Sequence, residues 1–436
     1  MTSEVFDDPQ FDVFHNEAVD ASAFGNWVKT VAPTESVDND GDIRFEFDIN
    51  EKYWMGWADS YITLEAQIQN IDTSGKVVAL DADEHVILIN NGAHSLWSDV
   101  KVKINQNAVE GGNSMYPWLA YMNNHINFNQ AAKGTHMISQ GYHIPVTDTA
   151  GNSFTSSNNS VNKAIQGVFA KSKWIYYSFP LKINLFQQGK SLPPGFRLDI
   201  TLVRNNPIFS TYVMSSAKKP NKIKINVRNV RYHMPMIQPA PRLQTQIAER
   251  RKNKAILYQY NHLNCFRQTV VTGTQERTFI NVFQSKHPKL AIIGIIESTL
   301  YQTDTRKFIF KKHELKEVAL RTEGRLITGG GVNCDDDMEV FSKLNQALSV
   351  FNSNEDFGCD FDQFKDYSFL IGFDCTINSN VEAIQKPDLR SYDLELKFKT
   401  TTSKNYDILI FFVEDKRTIL QPNNNVIPND FISPAI

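Results

Sequence analysis

The chain has 436 residues, of which 41% are hydrophobic and 11% aromatic, so it is long enough for two domains with separate cores. Its formal net charge of −3 excludes the strongly basic composition of a dedicated nucleic-acid-binding protein. The sequence lacks an apolar stretch of about 18 residues and its acidic start does not have the pattern of a signal peptide, so we expect a soluble protein made in the cytosol.

Residues 1–42 lack hydrophobic periodicity and are rich in acids and turn-forming residues, which predicts an extended N-terminal arm. From Ile43 onward, apolar and polar residues alternate, as is typical of strands with one buried and one solvent-facing side. Alternation or short apolar runs predict strands at Ile43–Ile49, Ile62–Ile68, Val86–Ile89, Val100–Ile104, Leu198–Leu202, Ile223–Val227, Leu290–Ile296, Leu394–Phe398 and Ile408–Val413. Many short strands between Gly, Asn and Pro turns predict an all-β fold of sandwiches or barrels.

Two helices interrupt this β pattern, one in the middle of each half of the chain. The first follows Ser114 and has Pro117 in its opening turn. The second begins near Asp337, which we expect to be its N-cap. The apolar residues expected on one face are Leu119, Met122 and Ile126 in the first helix and Met338, Phe341, Leu344, Leu348 and Phe351 in the second.

The two halves share one order of elements: several strands, a helix, a loop-rich stretch and two closing strands. The closing strands are Arg197–Arg204 and Lys222–Val230 in the first half, and Tyr392–Lys399 and Tyr406–Val413 in the second. The halves have no visible sequence identity, so the repeat is one of architecture.

The boundary between the halves is predicted near Pro235–Lys254. Prolines stop the preceding strand, and the polar stretch Arg242–Lys254 is compatible with a short helix. We therefore predict a first domain at 43–240 and a second at 241–436. The Ser-, Thr- and Asn-rich stretch Thr147–Asn162 is expected to be an exposed loop.

Acidic clusters are the first candidates for metal sites. Asp38, Asp40 and Asp42 resemble the opening of a calcium loop, but the twelfth position of that loop is Ile49 instead of a glutamate, so we interpret them as a turn. Asp335–Asp337 precede the second helix, where negative charge is stabilised by the helix dipole, and we prefer that interpretation to a metal site.

Motifs for catalysis or cofactor binding are not recognisable. Gly329–Gly331 is not followed by Lys-Ser or Lys-Thr, and His313–Glu314 does not extend to a zinc-protease motif. The cysteines have no C-x-x-C spacing and are expected to be free thiols: Cys265, Cys334, Cys359 and Cys375. We therefore predict no catalytic, cofactor-binding or metal residues, no cofactor and no enzymatic activity.

A small basic run lies at the predicted boundary, formed by Arg250, Arg251, Lys252 and Lys254. We interpret it as a solvated linker, with a nuclear-import signal or a contact to DNA phosphates as alternatives. The run Lys218–Pro220 has the same interpretation and is weaker.

Several segments resemble the hexon-like major capsid proteins of Polinton/Maverick elements, adintoviruses and virophages, and of their domesticated animal relatives. The resembling segments are spread over both halves of the chain in the family's order and together comprise 121 of its 436 residues. In the first half they are GDIRFEFDI (Gly41–Ile49), WADSYITLEAQI (Trp57–Ile68), LINNGAHSLWSDVKVKIN (Leu88–Asn105), MYPWLAYMNNHINF (Met115–Phe128) and GKSLPPGFRLDITLVRNNPIFS (Gly189–Ser210). In the second half they are FDQFKDYSFLIGFDCTIN (Phe361–Asn378) and DLELKFKTTTSKNYDILIFFVEDKRTIL (Asp393–Leu420).

This resemblance implies two tandem eight-stranded antiparallel jelly rolls, a double jelly roll with short helical insertions. It implies a structural capsid protein that forms homotrimeric, pseudo-hexagonal capsomers and an icosahedral shell. Its expected partners are neighbouring capsomers and penton and minor capsid proteins. The shell would enclose double-stranded DNA without sequence-specific binding, and the chain would not span a membrane. The expected location is the virion, after synthesis in the host cytosol and assembly in cytoplasm or nucleus.

Three alternatives remain open from the sequence. The first is a penton or minor jelly-roll capsid protein. The second is a non-viral carbohydrate-binding or hydrolytic double β-sandwich, which needs a cleft lined by exposed aromatic side chains or paired carboxylates. The tryptophans considered for such a lining are Trp54, Trp57, Trp97, Trp118 and Trp174. The third is a domesticated descendant with a cellular role.

Overall fold

A computed structural model describes residues 22–37, 41–49, 52–146, 159–214, 218–299, 306–327, 330–351, 353, 356–376 and 390–430. The strands of the first half are β1 (Ala23–Val31), β2 (Ile43–Asp48), β3 (Trp54–Met55), β4 (Tyr61–Ile71), β5 (Val77–Val78), β6 (Val86–Leu88), β7 (Trp97–Ile104), β8 (Asn107–Glu110), β9 (Ile175–Phe179), β10 (Arg197–Arg204), β11 (Thr211–Val213) and β12 (Lys222–Pro239). Those of the second half are β13 (Ile256–Val270), β14 (Glu276–Phe279), β15 (Leu290–Glu297), β16 (Leu315–Thr322), β17 (Arg325–Leu326), β18 (Val332–Asn333), β19 (Leu370–Asp374), β20 (Tyr392–Phe398), β21 (Tyr406–Leu420) and β22 (Val426–Asp430).

Short helices connect the strands. They are α1 (Gly92–Ser95), α2 (Tyr116–Ile126), α3 (Gln130–Gly134), α4 (Ser160–Phe169), α5 (Asn184–Gln187), α6 (Pro207–Ser210), α7 (Pro241–Arg251), α8 (Asp337–Ala347) and α9 (Phe361–Tyr367), with 3-10 turns at His136–Gln140 and Ala170–Ser172. Within the part of the chain that the structure describes, no helix combines the length and the apolar character that crossing a membrane requires.

Each half folds into two facing antiparallel sheets with the same strand order. In the first half, β1-β12-β4-β9 form one sheet and β2-β10-β7-β8 the other. In the second half, β13-β21-β15-β19 and β14-β20-β16-β17 form the corresponding sheets. Counting these strands along each half, both halves have the orders 1-8-3-6 and 2-7-4-5, which is the jelly-roll topology. The predicted double jelly roll is therefore confirmed.

The alternating segments form the sandwich interiors as predicted. In β2, Ile43, Phe45 and Phe47 are buried while Arg44 and Asp48 are exposed. Continuous apolar runs are covered on both sides, as in β15, where all residues from Leu290 to Ile296 are buried. The two closing strands of each half lie in opposite sheets, so they hold the two layers of one sandwich instead of pairing with each other.

The two predicted central helices are present, with one correction to the second. Helix α2 has Pro117 in its first turn, as expected. Helix α8 is capped by Asp336, whose carboxylate accepts hydrogen bonds from the backbone of Met338 and Glu339, so the predicted cap at Asp337 is one residue too late. The predicted apolar face of the second helix was wrong at its ends, because Met338 is 54% exposed and Phe351, which is 58% exposed, lies beyond the last residue of α8.

That face of α8 is shifted because the helix packs on β19 and β15. Its buried residues are Val340, Leu344 and Ala347, and Gly372 of β19 allows the approach because a Cβ there would lie 2.9 Å from Ala347 Cβ.

The structure differs from the expected arm over part of its length. Ala23–Val31 is the first strand of the first jelly roll, hydrogen-bonded along β12. It carries no alternating pattern because nearly all of its residues are exposed, so periodicity could not reveal it. Residues 1–21 and most of the predicted loop Thr147–Asn162 lie outside the described residues, and α4 begins at Ser160.

Candidate functional site: the interface between the jelly rolls

The acidic candidates act in local structure. Asp38 and Asp40 lie outside the described residues, and Asp42 accepts a hydrogen bond from the backbone of Arg204 at 3.1 Å. Asp335 and Asp337 form ion pairs with Lys399 and Lys312 beside the Asp336 cap. Among the residues that the structure describes, three or more His, Cys, Asp or Glu side chains nowhere group in a way that suits a metal ion.

The remaining sequence candidates are also placed. The thiols of Cys265, Cys334, Cys359 and Cys375 are free, and burial raises the pKa of Cys334 and Cys359 to about 12, which keeps them in the unreactive thiol form. Of the glycine run, Gly329 lies outside the described residues. The rings of His313 and Tyr406 are in tilted contact with centroids 4.6 Å apart, and Glu314 accepts a hydrogen bond from the Tyr406 hydroxyl.

Most of the tryptophans considered for a cleft lie in the core. Trp57, Trp97 and Trp118 are at most 2% exposed and belong to the core. Trp54 and Trp174 are half-buried, and the guanidinium of Arg228 lies 4.0 Å from the centroid of the Trp174 ring.

The basic run ends helix α7 and joins the two halves. Arg251 donates hydrogen bonds to the backbone oxygen of Pro194 and to the side chain of Asn424, and its guanidinium lies over Phe196. Arg250, Lys252 and Lys254 are exposed. One member of the run is therefore a structural contact. Lys218, in the weaker run, pairs with Asp81 at 2.8 Å.

A buried charged cluster joins the jelly rolls where β8 of the first meets β13 and β21 of the second. Its members are Glu110, His262, Lys286, Glu414 and Lys416. His262 lies between the carboxylates, with Nε2 3.0 Å from Glu110 Oε2 and Nδ1 3.4 Å from Glu414 Oε1. Lys416 Nζ lies 3.5 Å from Glu110 Oε1, and Lys286 Nζ 3.0 Å from Glu414 Oε1.

Neutral side chains and a backbone oxygen form further hydrogen bonds with this charged cluster. The Tyr260 hydroxyl donates to Glu110 at 3.0 Å, the Asn264 amide donates to Glu414 at 3.0 Å, and Lys416 donates to the backbone oxygen of Val109 at 3.1 Å. Buried charges are tolerated when they are paired and hydrogen-bonded in this way.

The charges set one another's protonation. Burial raises the pKa of Glu110, but the adjacent His262 and Lys416 outweigh it and hold that pKa well below its usual range. Burial lowers the pKa of His262, but Glu110 and Glu414 outweigh it and the net shift is upward. The arrangement holds two carboxylates ionised and favours the imidazolium, so it acts as an electrostatic link between the halves.

A cavity of about 410 Å³ borders the charged cluster, with Lys182 and Asp99 among its lining residues. Lys182 lies with Nζ 4.5 Å from the centroid of the Phe128 ring, and burial lowers its pKa to about 8. The cavity lies between the two jelly rolls and so forms part of their interface.

A second link, the lysine node, joins the halves through Lys133, which is 1% exposed. Its ammonium donates to three backbone oxygens, at 2.6 Å to His125, 2.5 Å to Phe357 and 3.1 Å to Gly358. Gly358 has φ +65° and a Cβ there would lie 2.7 Å from the ammonium, so glycine is required. His125 in turn contacts Ser368 through Nε2, and burial lowers the pKa of this histidine well below its usual value.

Stacked rings form the third link. Tyr121 of α2 lies parallel to Phe308 with centroids 4.4 Å apart, and Trp118 meets the same ring edge-on at 4.9 Å. Helix α2, predicted as an element of the first half, therefore fills the interface with the second half. Periodicity predicted the helix but carried no signal for its partner.

Comparisons by sequence do not identify the family of the chain. No protein-family model matches the chain. An uncharacterised protein of Caenorhabditis elegans is 22% identical over 298 residues, which cover 66% of this chain and 68% of that protein.

Solved structures match over nearly the whole chain. The Sputnik virophage structure matches with a TM-score of 0.65 at 10% identity, over 99% of this chain and 94% of that one. The mavirus major capsid protein matches with a TM-score of 0.56 at 11% identity, over 99% and 95%. The capsid of the virus PBCV-1 matches with a TM-score of 0.55 at 11% identity, over 95% and 99%. These likenesses show that the chain shares the fold of those proteins.

Proposed function

We propose that the chain is a major capsid protein of a double-stranded DNA virus or virus-like element, with a structural and not a catalytic role. The observation that carries this proposal is the pair of jelly rolls with identical strand order, locked side by side by buried charge, backbone and ring contacts. A shell subunit needs a rigid shape with large lateral surfaces. The likeness to virophage and PBCV-1 capsid structures supports the same role.

The proposal includes homotrimeric capsomers, in which six jelly rolls approximate hexagonal symmetry and tile an icosahedral shell. It includes lateral contacts with neighbouring capsomers, contacts with penton and minor capsid proteins, and enclosure of double-stranded DNA without sequence reading. The virion is the proposed location. We also keep the division at residues 240 and 241, with β1 added to the first jelly roll because its hydrogen bonds run along β12.

The protonation states and ion pairs of the buried histidines and carboxylates support a role without catalysis. Buried histidines such as His94 are held neutral, since burial lowers its pKa to about 3, and the buried carboxylates of the charged cluster already have cationic partners. The burial of Trp57, Trp97 and Trp118 disfavours the alternative of a carbohydrate-binding cleft.

Light scattering on the purified full chain tests the proposal. We expect a trimer of about three times the 49.7 kDa chain mass, and closed shells by negative-stain microscopy at high concentration. A protein that stays monomeric across the concentration range, or one that binds immobilised polysaccharides as a monomer, would contradict the proposal.

A further inference from the structure

A buried lysine of the second jelly roll contacts a side-chain amide and a carboxylate at the same time. Lys289 is 2% exposed. Its Nζ lies 2.7 Å from Asn261 Oδ1 and 2.8 Å from Asp415 Oδ1. We call Lys289, Asn261 and Asp415 the amide triad. These three residues lie outside the charged cluster and the lysine node, so the links between the jelly rolls do not account for them.

Three adjacent strands position the amide triad. Strands β13 and β15 pair with opposite edges of β21. Asn261 of β13 lies directly opposite Asp415 of β21. Lys289 immediately precedes β15, and its backbone N–H donates to the oxygen of Val413 in β21 at 2.7 Å. The lysine side chain therefore reaches across β21, from a backbone position that the sheet fixes, to a side chain on the far strand.

The contact with a side-chain amide distinguishes Lys289 from Lys133 and Lys286. Lys133 donates to backbone oxygens, and Lys286 lies 3.0 Å from a carboxylate oxygen of Glu414. Attack on a backbone amide would cut the chain, whereas the side-chain amide of asparagine can lose its nitrogen and leave the chain intact. Lys289 alone of these three has an amide carbonyl to attack beside a carboxylate that can carry protons.

The geometry of the amide triad suits attack of the lysine nitrogen on the amide carbon. Because a C=O bond is about 1.23 Å long, a nitrogen hydrogen-bonded to the oxygen at 2.7 Å lies about 3–4 Å from the carbon. Reacting atoms held about 3–3.5 Å apart gain the high effective concentration of an intramolecular reaction. Burial of Lys289 also limits access of the water that would compete as a nucleophile.

We propose that Lys289 and Asn261 become joined by an isopeptide bond, which the folded chain forms without another protein. The Asp415 carboxylate accepts a proton from the Lys289 ammonium, and the resulting amine attacks Cγ of Asn261. The Nζ–Cγ bond forms and the Cγ–Nδ2 bond breaks. Asp415 passes two of the three ammonium protons to Nδ2, which leaves as ammonium, and Asp415 is a carboxylate again at the end. The step uses no oxidant or reductant.

A cavity gives the leaving nitrogen a place to go. It has a volume of about 600 Å³, and Asn261, Leu290 and Val413 are among its lining residues. Departure of ammonium from this cavity into solvent makes the reaction irreversible, because the dissolved ammonium is too dilute to attack the new amide.

The bond would link β13 to β15 across β21, between positions 28 residues apart. Strand β13 also carries contacts to the first jelly roll, such as the hydrogen bond from the Tyr258 hydroxyl to the backbone oxygen of Ser191. A covalent link restricts the unfolded chain and so favours the folded state. It would keep the interface strand in its sandwich when hydrogen bonds open. The bond lies within one chain, so it does not depend on assembly into a shell.

Mass spectrometry of the purified, folded full chain tests the proposal. We expect an intact mass about 17 Da below that of the 49.7 kDa sequence, the mass of one ammonia lost when the lysine amine replaces the amide nitrogen. Trypsin does not cleave after an acylated lysine, so the digest should contain residues 255–267 joined to residues 287–306. Far-UV circular dichroism on the same sample checks that the chain is folded.

Variants of the amide triad give the second measurement. Lys289→Met and Asn261→Ala should restore the full mass of their own sequences. Asn261→Asp should still form the bond but lose about 18 Da, because water leaves in place of ammonia. The matched control is Lys286→Met, which removes a neighbouring lysine that contacts only a carboxylate in its ion pair with Glu414, and it should retain the linkage.

The outcomes decide between a covalent bond and an ordinary buried ion pair. A folded wild-type chain with the full sequence mass and separate tryptic peptides would overturn the proposal. So would a loss of about 17 Da without the joined peptides, as ring closure at Asn91 before Gly92 would give, since that reaction also releases ammonia. Either result would leave the capsid proposal untouched, because light scattering tests that proposal independently.

Discussion

The outer faces of two equivalent sheets, β1-β12-β4-β9 and β13-β21-β15-β19, have the same strand order and opposite environments. In the second jelly roll, β15 is buried from Leu290 to Ile296 and β13 is covered by α2, α5 and β8 of the first. In the first, β1 is exposed along almost its whole length. Strand topology therefore does not determine whether a sheet face is exposed to solvent or buried. The neighbour that covers the face decides it.

The same contrast appears in how charge is used. The first jelly roll carries the ion pair of Arg228 with Glu65 on its surface, with the side chains 47% and 25% exposed. The second buries Glu414, His262 and Lys416 against the first. Removing a carboxylate from a buried ion pair should therefore lower the free energy of unfolding much more than removing one from a surface ion pair, and substitutions can measure that difference.

The largest effect is expected from Glu110→Ala. The substitution removes the carboxylate that pairs with Lys416 and leaves His262 with Glu414 alone, and an uncompensated buried charge costs about 3–5 kcal/mol of unfolding free energy. Urea denaturation of this variant and of its control measures the loss of unfolding free energy. The matched control, Glu65→Ala, removes the surface carboxylate and should cost about 0–1 kcal/mol. Equal losses in the two variants would refute the contrast between the faces.

A smaller effect is expected from added volume on the two sheets. A Cβ on Gly294 of β15 would lie 2.4 Å from the Phe310 ring, so Gly294→Ala should destabilise by about 1–3 kcal/mol. The control is Gly25→Ala on β1, where nothing lies within 4 Å, and it should change stability by less than about 0.5 kcal/mol. Thermal melting compares them, and a tolerated alanine at Gly294 would show that the second sheet is less tightly covered than described.

The elements that the sequence predicts are those whose burial occurs within a single jelly roll. Strands such as Ile43–Asp48 can be predicted from the sequence because one of their faces is buried in the core of their own sandwich. Apolar residues are therefore required at every second position. Strand β1 is invisible because neither face is buried within the chain. The N-cap at Asp336 was missed by one residue because three consecutive aspartates are equally good caps.

The interface residues could not be predicted for a related reason. Glu110 and His262 are 152 positions apart, and each is an ordinary residue in a polar strand until the two jelly rolls are docked. Lys133 lies in the short helix α3, and the sequence around it has no hydrophobic pattern that predicts its burial. Periodicity records the burial of one element against its own domain, and contacts between domains leave no comparable repeat.

The response to pH distinguishes His94 of the first jelly roll from His262 of the charged cluster, because the pKa values of these two histidines shift in opposite directions. In the first jelly roll, burial lowers the pKa of His94 from 6.5 to about 3, so the stability it contributes is present above pH 6.5 and is lost as the pH falls towards 3, at up to about 1.4 kcal/mol per pH unit. In the charged cluster, the pKa of His262 is raised above 6.5, so its contribution is complete below pH 6.5 and is lost as the pH rises through the folded-state pKa.

Two variants measured in urea at pH 5, 7 and 9 test this opposition. The destabilisation caused by His94→Gln should shrink from pH 7 to pH 5, because the wild-type protein has itself lost the contribution of the neutral imidazole there. The destabilisation caused by His262→Gln should shrink from pH 5 to pH 9, because the wild-type protein loses the imidazolium that lies between Glu110 and Glu414. If both destabilisations changed with pH in the same direction, His262 would be another neutral buried histidine and the interface would be held by packing and not by charge.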